Sequence, residues 1–188
     1  MVTQKITGIV LAGGKSSRMQ TDKGFVYYKG KMLIEHALDQ IKPFCNDIIL
    51  SANRKEYERF GYPVVKDLIY DSGPLGGIYS AIQKCSDDLC LVTACDIIDI
   101  DGDLLTLMID NAQDNILVYL TLADQKLHPL PILLHKNVIP VIESQIQKSD
   151  FKLRNFIQEV KKLNSNQVIS VQIKNELRNL NTFDDLKS

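Results

Sequence analysis

The sequence predicts an α/β fold, a single three-layer domain whose mostly parallel sheet carries helices on both faces. Three observations carry that reading. Short apolar runs alternate with segments of helical periodicity through about the first 120 residues. The strand candidates are almost continuously apolar, as strands covered on both faces must be. The chain's 188 residues suit one domain, 1–188, large enough to bury roughly 70% of its unfolded surface without disulfides or a structural metal.

Ile6 to Leu11 is a buried-strand run that ends at Gly13 and Gly14. Leu33, Ile34, Ala37, Leu38 and Ile41 recur at helical spacing, and Pro43 sets a stop near Lys42. Asp47 to Ser51 reads as a second strand, Lys55 to Phe60 as a short helix, and Val64-Val65 as a third strand cut off at Asp67. Gly73-Pro74-Leu75-Gly76-Gly77 opens a helix that places Leu75, Ile78 or Tyr79, and Ile82 on one face. The strand Leu89 to Thr93 leads to Asp96. A helix over 104–112 follows, with Asp103 as its candidate cap, and then a strand over 116–122. Beyond this the pattern is looser: a candidate strand at 131–134, helical spacing at Val138, Ile142 and Ile146, a helix over 153–160, a strand over 168–173 and a terminal helix after Asn181.

Composition narrows the function classes. Hydrophobic residues make up 45% and charged residues 24%, as in an ordinary globular protein. Lys and Arg total 22 against 23 acids, so no global field favours a long nucleic acid. No apolar run approaches the ~20 residues that span a bilayer, and Ile9 to Ala12 is too short for a signal peptide. Cys45, Cys85, Cys90 and Cys95 form no C-x-x-C pair and do not group with His36, His128 or His135. They read as reduced packing residues of a cytoplasmic protein.

In parallel sheets, ligands bind beyond the carboxyl ends of the strands. There the first strand is followed by Gly13-Gly14-Lys15-Ser16-Ser17-Arg18-Met19 and then Asp22-Lys23. Paired glycines let a backbone approach a ligand, and exposed amides hold anionic oxygens. Lys15, Arg18 and Lys23 supply three cations within nine residues, a density suited to a triphosphate. Neither familiar phosphate loop is present. Gly8 precedes Gly14-Lys15-Ser16 with five intervening residues where the P-loop has four, and G-x-G-x-x-G is absent. Asp96, at the end of a buried strand, is the leading ligand for Mg²⁺, although spacing alone equally allows a helix cap or turn residue. The alternating Asp99, Asp101 and Asp103 lack the Gly and Glu of an EF-hand. The small residues through Gly77 would admit a flat base against the backbone.

These segments, with Ser51-Ala52-Asn53-Arg54, Val65-Lys66-Asp67, Cys95-Asp96, His128-Pro129 and Asn179-Leu180-Asn181-Thr182, resemble the molybdenum cofactor guanylyltransferases (MobA type) of the nucleotidyltransferase superfamily, with its Rossmann-like fold. The matches keep the family's order over nearly the whole chain. The resemblance implies that the backbone of Leu11, Ala12 and Gly13 and the side chain of Lys23 hold GTP and that Asn53 and Asp67 add contacts; Gly14, Lys15 and Gly77 complete the candidate nucleotide site. It implies Arg18 at the triphosphate, Mg²⁺ on Asp96, and Asn179 and Asn181 on the molybdopterin. Gly13 is similar to guanylyl-transferring members, where cytidylyl relatives often carry Ala. The chain departs from the family at Gln20, where Gly is usual, and at Ile98, where Pro is common, and Gln145 to Lys161 matches loosely.

The implied reaction is in-line attack by the terminal phosphate of molybdenum-bearing molybdopterin on the α-phosphorus of GTP, with loss of pyrophosphate. Arg18, Lys23 and Asp96 would carry it, and molybdoenzymes or their chaperones would receive the product. No nucleic acid and no membrane is implied. Two other readings stand beside this one: a cytidylyl- or uridylyltransferase acting on another phosphorylated acceptor, and a non-catalytic GTP-binding cofactor carrier. A purely structural α/β domain would leave the clustered cations and glycines unexplained.

Overall fold

The computed structural model describes residues 4–13, 22–112, 116–122, 124–174, 177–180 and 185. The first strand, β1 (Ile6–Leu11), is buried along its whole length. A hairpin of β2 (Tyr27–Tyr28) and β3 (Lys31–Met32) turns through Lys29 and Gly30, both at positive φ. It leads into α1 (Leu33–Ile41), where Leu33, Ile34, Ala37, Leu38 and Ile41 are buried as their spacing predicts. The Glu35 carboxylate accepts from the Met32 N–H at 2.8 Å and caps the helix start. Next come β4 (Asp47–Ser51), a 3₁₀ helix at Lys55–Phe60, β5 (Val64–Val65), α2 (Gly73–Ile82), β6 (Leu89–Ala94) and β7 (Ile97–Ile98).

α3 (Gly102–Asp110) starts two residues before the predicted helix. Its cap is Asp101, whose Oδ1 accepts from the Asp103 N–H at 3.0 Å, so Asp103 sits in the first turn instead of capping it. β8 (Leu117–Leu122) is followed by β9 (Leu127–His135), which begins four residues before the predicted strand. Pro129 and Pro131 hide this extension from propensity, since each removes a ladder donor, and the pairing register shifts between Val118 and Leu120. α4 (Ile139–Gln147), α5 (Leu153–Leu163), β10 (Val168–Ile173) and β11 (Arg178–Asn179) complete the described elements. The terminal helix expected after Asn181 falls outside the described residues, Asp185 apart.

Seven strands form one sheet in the order β10-β8-β9-β6-β1-β4-β5. β9 runs antiparallel to β6 and β8, and the other pairings are parallel. In register, Leu11 lies beside Ser51 on one side and Ala94 on the other, so three carboxyl ends finish together. The reversal of β9 brings its amino end to the same edge, with Leu127 beside Thr121.

Side chains alternate across a strand, and β1 shows both faces in use. A Cβ on Gly8 would lie 2.8 Å from Ile41 Cδ1, so α1 packs closely on that face. Leu11, an odd number of residues away, points at α2, where a Cβ on Gly77 would lie 3.3 Å from its Cδ2. α4 joins α2 on this second face and α5 packs on α4. Gly102 at the start of α3 lies against Phe44, just past α1. The core between the layers includes Ile9, Leu50, Ile78, Leu91, Leu117, Ile142 and Phe156, all fully buried. Burying one such side chain contributes about 1.5–3 kcal/mol. A smaller cluster of Tyr28, Leu33, Ile98 and Leu180 ties the hairpin to β7 and β11. The four cysteines are free, and Cys85, Cys90 and Cys95 are buried, as packing residues would be. Among the described residues no helix is long and apolar enough to cross a membrane.

Candidate active site

A cleft of about 810 Å³ opens along the shared strand edge. One wall comes from the ends of β1, β4 and β6 with the start of α2. The other comes from the β8–β9 connection, Arg154 of α5 and Asn179 of β11.

On the first wall, β1 leaves the sheet as Ala12 and Gly13. The Ala12 N–H donates to the Ser51 carbonyl at 2.9 Å, and the Cys95 N–H donates to the Leu11 carbonyl at 3.0 Å. Ladder bonding therefore continues past the strand ends and holds this backbone rigid. Gly13 has φ +99°, with no atom within 4 Å of where a Cβ would stand. The requirement for glycine there comes from the backbone angle and not from space. Gly14, Lys15 and Arg18 lie outside the described residues.

Lys23 and Asp96, 73 residues apart, meet in the cleft with Nζ 3.0 Å from Oδ2. Their side chains are 21% and 22% exposed, sheltered yet reachable by a ligand. Asp96 sits in the turn between β6 and β7 and precedes no helix, so it is a turn residue facing the cleft and not a helix cap. Its carbonyl accepts from the Leu180 N–H at 2.9 Å, which ties this turn to β11. Asn53 and Asp67 form a reciprocal pair. The Asn53 amide donates to the Asp67 carboxylate at 2.8 Å, and its Oδ1 accepts from the Asp67 N–H at 2.9 Å. At Gly77 a Cβ would crowd Ser51 Oγ to 2.7 Å, so α2 approaches the strand ends only because that position has no side chain.

The second wall carries Lys126, His128, Arg154 and Asn179. His128 Nδ1 lies 2.6 Å from the Leu130 carbonyl, which fixes the ring. Asn179 is placed by β11, where it pairs with Ile97. Asn181 lies outside the described residues.

Two ionisable groups near the cleft are held neutral. Burial, helped by the Asp96 and Asp22 carboxylates, pushes the Cys95 thiol up to about 12. Burial, with a hydrogen bond to Asp22, pushes the Tyr57 phenol far above its ordinary value, leaving it a proton donor. Among the described residues no three His, Cys, Asp or Glu side chains group as a metal site. A cation here would draw one carboxylate from Asp96 and its remaining ligands from elsewhere.

The family described as MobA-like NTP transferase domain matches residues 8–165. The chain belongs to this family. Among MobA-like relatives, the Flavobacterium johnsoniae protein named "Probable molybdenum cofactor guanylyltransferase" is 33% identical over 185 residues, covering 97% of this chain and 95% of its own. A Yersinia pestis molybdenum cofactor guanylyltransferase is 31% identical over 159 residues, covering 82% and 81%. The crystal structure of molybdopterin-guanine dinucleotide biosynthesis protein A from Archaeoglobus fulgidus superposes with a TM-score of 0.75, at 21% identity over 96% of this chain and 95% of that one. The expected α/β class and the nucleotidyltransferase assignment both hold.

In this MobA-like chain the fold gathers Leu11, Ala12, Gly13, Lys23, Asn53, Asp67, Gly77, Asp96 and Asn179 around one cleft. Sequence reading gave Asp22 no role and missed Tyr70, Lys126 and Arg154, and all four line the cleft. Arg154 left a usable signal. Leu153, Phe156, Ile157 and Val160 form the buried stripe of α5, which turns Arg154 away from the core in the helix's first turn. Tyr70 is an aromatic at the cleft mouth, 87% exposed, and nothing in its local sequence marks it.

Proposed function

We propose that the chain, acting as one domain over 1–188, transfers GMP from GTP to the terminal phosphate of molybdenum-bearing molybdopterin. An acceptor phosphate oxygen bonds to the α-phosphorus, the bond from that phosphorus to the β-phosphate's bridging oxygen breaks, and pyrophosphate leaves with the electron pair. The acceptor phosphate is already ionised near neutral pH, so no strong general base is required. What the site must supply is positioning and neutralisation of charge.

The observation that carries the reading is the Lys23–Asp96 pair, sheltered at the joined ends of β1 and β6. Lys23 is placed to exchange its carboxylate for phosphate oxygens. Asp96 fits Mg²⁺, a hard cation that takes one or two carboxylates and otherwise phosphate and water oxygens. A lone carboxylate suits an ion that arrives with the nucleotide, and such an ion neutralises charge on the triphosphate. Lys15 and Arg18 add cations to the same anion. The Leu11 to Gly13 backbone would meet the nucleotide, with Asn53, Asp67 and Gly77 on the base side. Asn179 lines the cleft with Arg154, whose charge suits the acceptor phosphate, and with Asn181 it would hold the pterin. The reaction belongs in the cytoplasm, where molybdoenzymes or their chaperones would take up the product.

The test is pyrophosphate release with GTP, CTP, ATP or UTP and Mg²⁺, with and without molybdenum-loaded molybdopterin. Release with GTP, dependent on that acceptor, is expected. Release with CTP or UTP in preference to GTP would overturn the base assignment. Saturable GTP binding with no release would leave a carrier in place of an enzyme.

A further inference from the structure

Lys23 leaves the backbone from a single turn of 3₁₀ helix, Lys23–Phe25. So short an element does not hold itself. Its internal bonds are those from the Phe25 N–H to the Asp22 carbonyl at 3.1 Å and from the Val26 N–H to the Lys23 carbonyl at 3.0 Å. It packs on α1 and Phe60, and its polar anchor is Tyr57, 34 positions further along the chain than Lys23, in the 3₁₀ helix that follows Asn53 and Arg54.

Tyr57 touches the turn in three ways. Its hydroxyl donates to Asp22 Oδ1, the same oxygen that accepts from the Gly24 N–H at 3.2 Å. That hydroxyl also occupies the space a side chain at residue 24 would need, since a Cβ there would lie 2.2 Å away. Its ring stacks on Phe25 with centroids 4.5 Å apart, and the guanidinium of Arg59 covers that ring 4.9 Å from its centroid. Arg54 approaches the second Asp22 oxygen at 3.8 Å. The Asp22 side chain is 6% exposed, so its charge is served almost entirely by these neighbours.

A buried tyrosine is ordinarily a packing residue, and its ring alone would satisfy that role. The hydroxyl exceeds it: a phenol aimed at a buried carboxylate whose next residue, Lys23, carries the cation paired with Asp96. We infer that Tyr57 is a positioning residue for nucleotide use, fixing Lys23 in the cleft through Asp22 and the Lys23–Phe25 turn. The inference rests on the cleft being the nucleotide site. It also links that cation to Asn53, because Tyr57 and Asn53 belong to one short segment after β4.

The experiment is a double-mutant cycle of Tyr57→Phe with Lys23→Ala, read as kcat/KM for GTP and as GTP affinity by calorimetry, well below each variant's thermal midpoint. Tyr57→Phe keeps the ring and removes the hydroxyl. An effect transmitted through the placement of one cation should lower kcat/KM for GTP by about tenfold and leave the KM of the acceptor unchanged. In the Lys23→Ala background the same change should cost nothing further, because residues acting as one unit are not additive. Asp22→Asn should show the same non-additivity, and it serves as the second variant should Tyr57→Phe fold poorly. A Tyr57→Phe protein equal to the wild type, or one losing the same factor with and without Lys23, overturns the inference. A wild-type protein that binds GTP but releases no pyrophosphate overturns the reaction instead, and the binding cycle still decides the role of Tyr57.

Discussion

The two walls of the cleft are built by different means. The wall of β1, β4 and β6 ends on parallel strands in matched register, and its polar side chains are paired before any ligand arrives: Asn53 with Asp67, Lys23 with Asp96, Asp22 with Tyr57. The facing wall grows from β9, the reversed strand, where pairing is interrupted between Val118 and Leu120. It presents Lys126 and Arg154 on long stems. A preorganised wall loses little entropy on binding, whereas the planar guanidinium of Arg154 and the ammonium of Lys126 supply charge suited to phosphate oxygens. The difference suits a reaction whose first substrate must be held in line while the second is drawn in by its phosphate.

Asp96 belongs to both walls, through its carboxylate to Lys23 and its carbonyl to Leu180, so its loss should have the largest effect. Asp96→Ala should lower turnover on the order of 10³-fold, the scale seen when a group that stabilises transition-state charge is removed. Pyrophosphate release measures it, and activity near the wild-type level would remove Asp96 from the chemistry. Lys23→Ala should follow, at about 10²-fold in kcat/KM for GTP. Lys161→Ala, on an exposed position of α5, is the control, and equal losses in the two variants would reduce Lys23 to a surface charge.

A third pair of variants tests the division itself. Arg154→Ala should raise the KM of the acceptor about tenfold, the cost of a lost hydrogen bond to a charged group, and leave the KM for GTP unchanged. Asn53→Ala should do the reverse, because it frees Asp67 from its partner. If both variants moved both constants together, the walls would not be separate sites.

The same contrast explains what could be read from sequence. Parallel strands covered on both faces are continuous apolar runs, so β1, β4 and β6 stood out, and with them the strand-end positions Gly13, Asn53 and Asp96. The Asn53–Asp67 contact depends on the register of β4 with β5, and the Lys23–Asp96 contact joins a 3₁₀ turn to the end of β6 across 73 residues; no local pattern carries either. β9 was half-hidden by its two prolines, and its antiparallel direction by the absence of any directional signal in an apolar run. Asp103 was read as a cap because it precedes an apolar stripe. Asp101 won because Gly102 and Asp103 already have helical geometry. Tyr57 carries no mark of its role, since a buried ring and a buried ring with a task share one hydrophobic pattern.

The smallest effect separates the walls by pH. Cysteine occurs only up to residue 95, so the β8–β9, α5 and β11 wall has none, whereas Cys95 is packed between Leu11 and Asp96 on the other. Its thiol is raised from the ordinary 9.0 to about 12 by burial first and the neighbouring carboxylates second. The folded state therefore keeps a proton that the unfolded chain gives up near pH 9. The stability this contributes is fully present below pH 9 and is lost as pH rises from 9 toward 12. By pH 11, two units above the unfolded value, the loss is about 3 kcal/mol at 1.36 kcal/mol per unit. Urea unfolding of the wild type and Cys95→Ala at pH 7, 9 and 10.5 should show two curves that differ by a constant packing term up to pH 9. Above it they should converge, because the variant has no proton to lose there. Curves that stayed parallel would mean that Cys95 is more hydrated than its position at the joined ends of β1 and β6 implies. The packing that keeps that wall rigid would then be looser than its hydrogen bonds suggest.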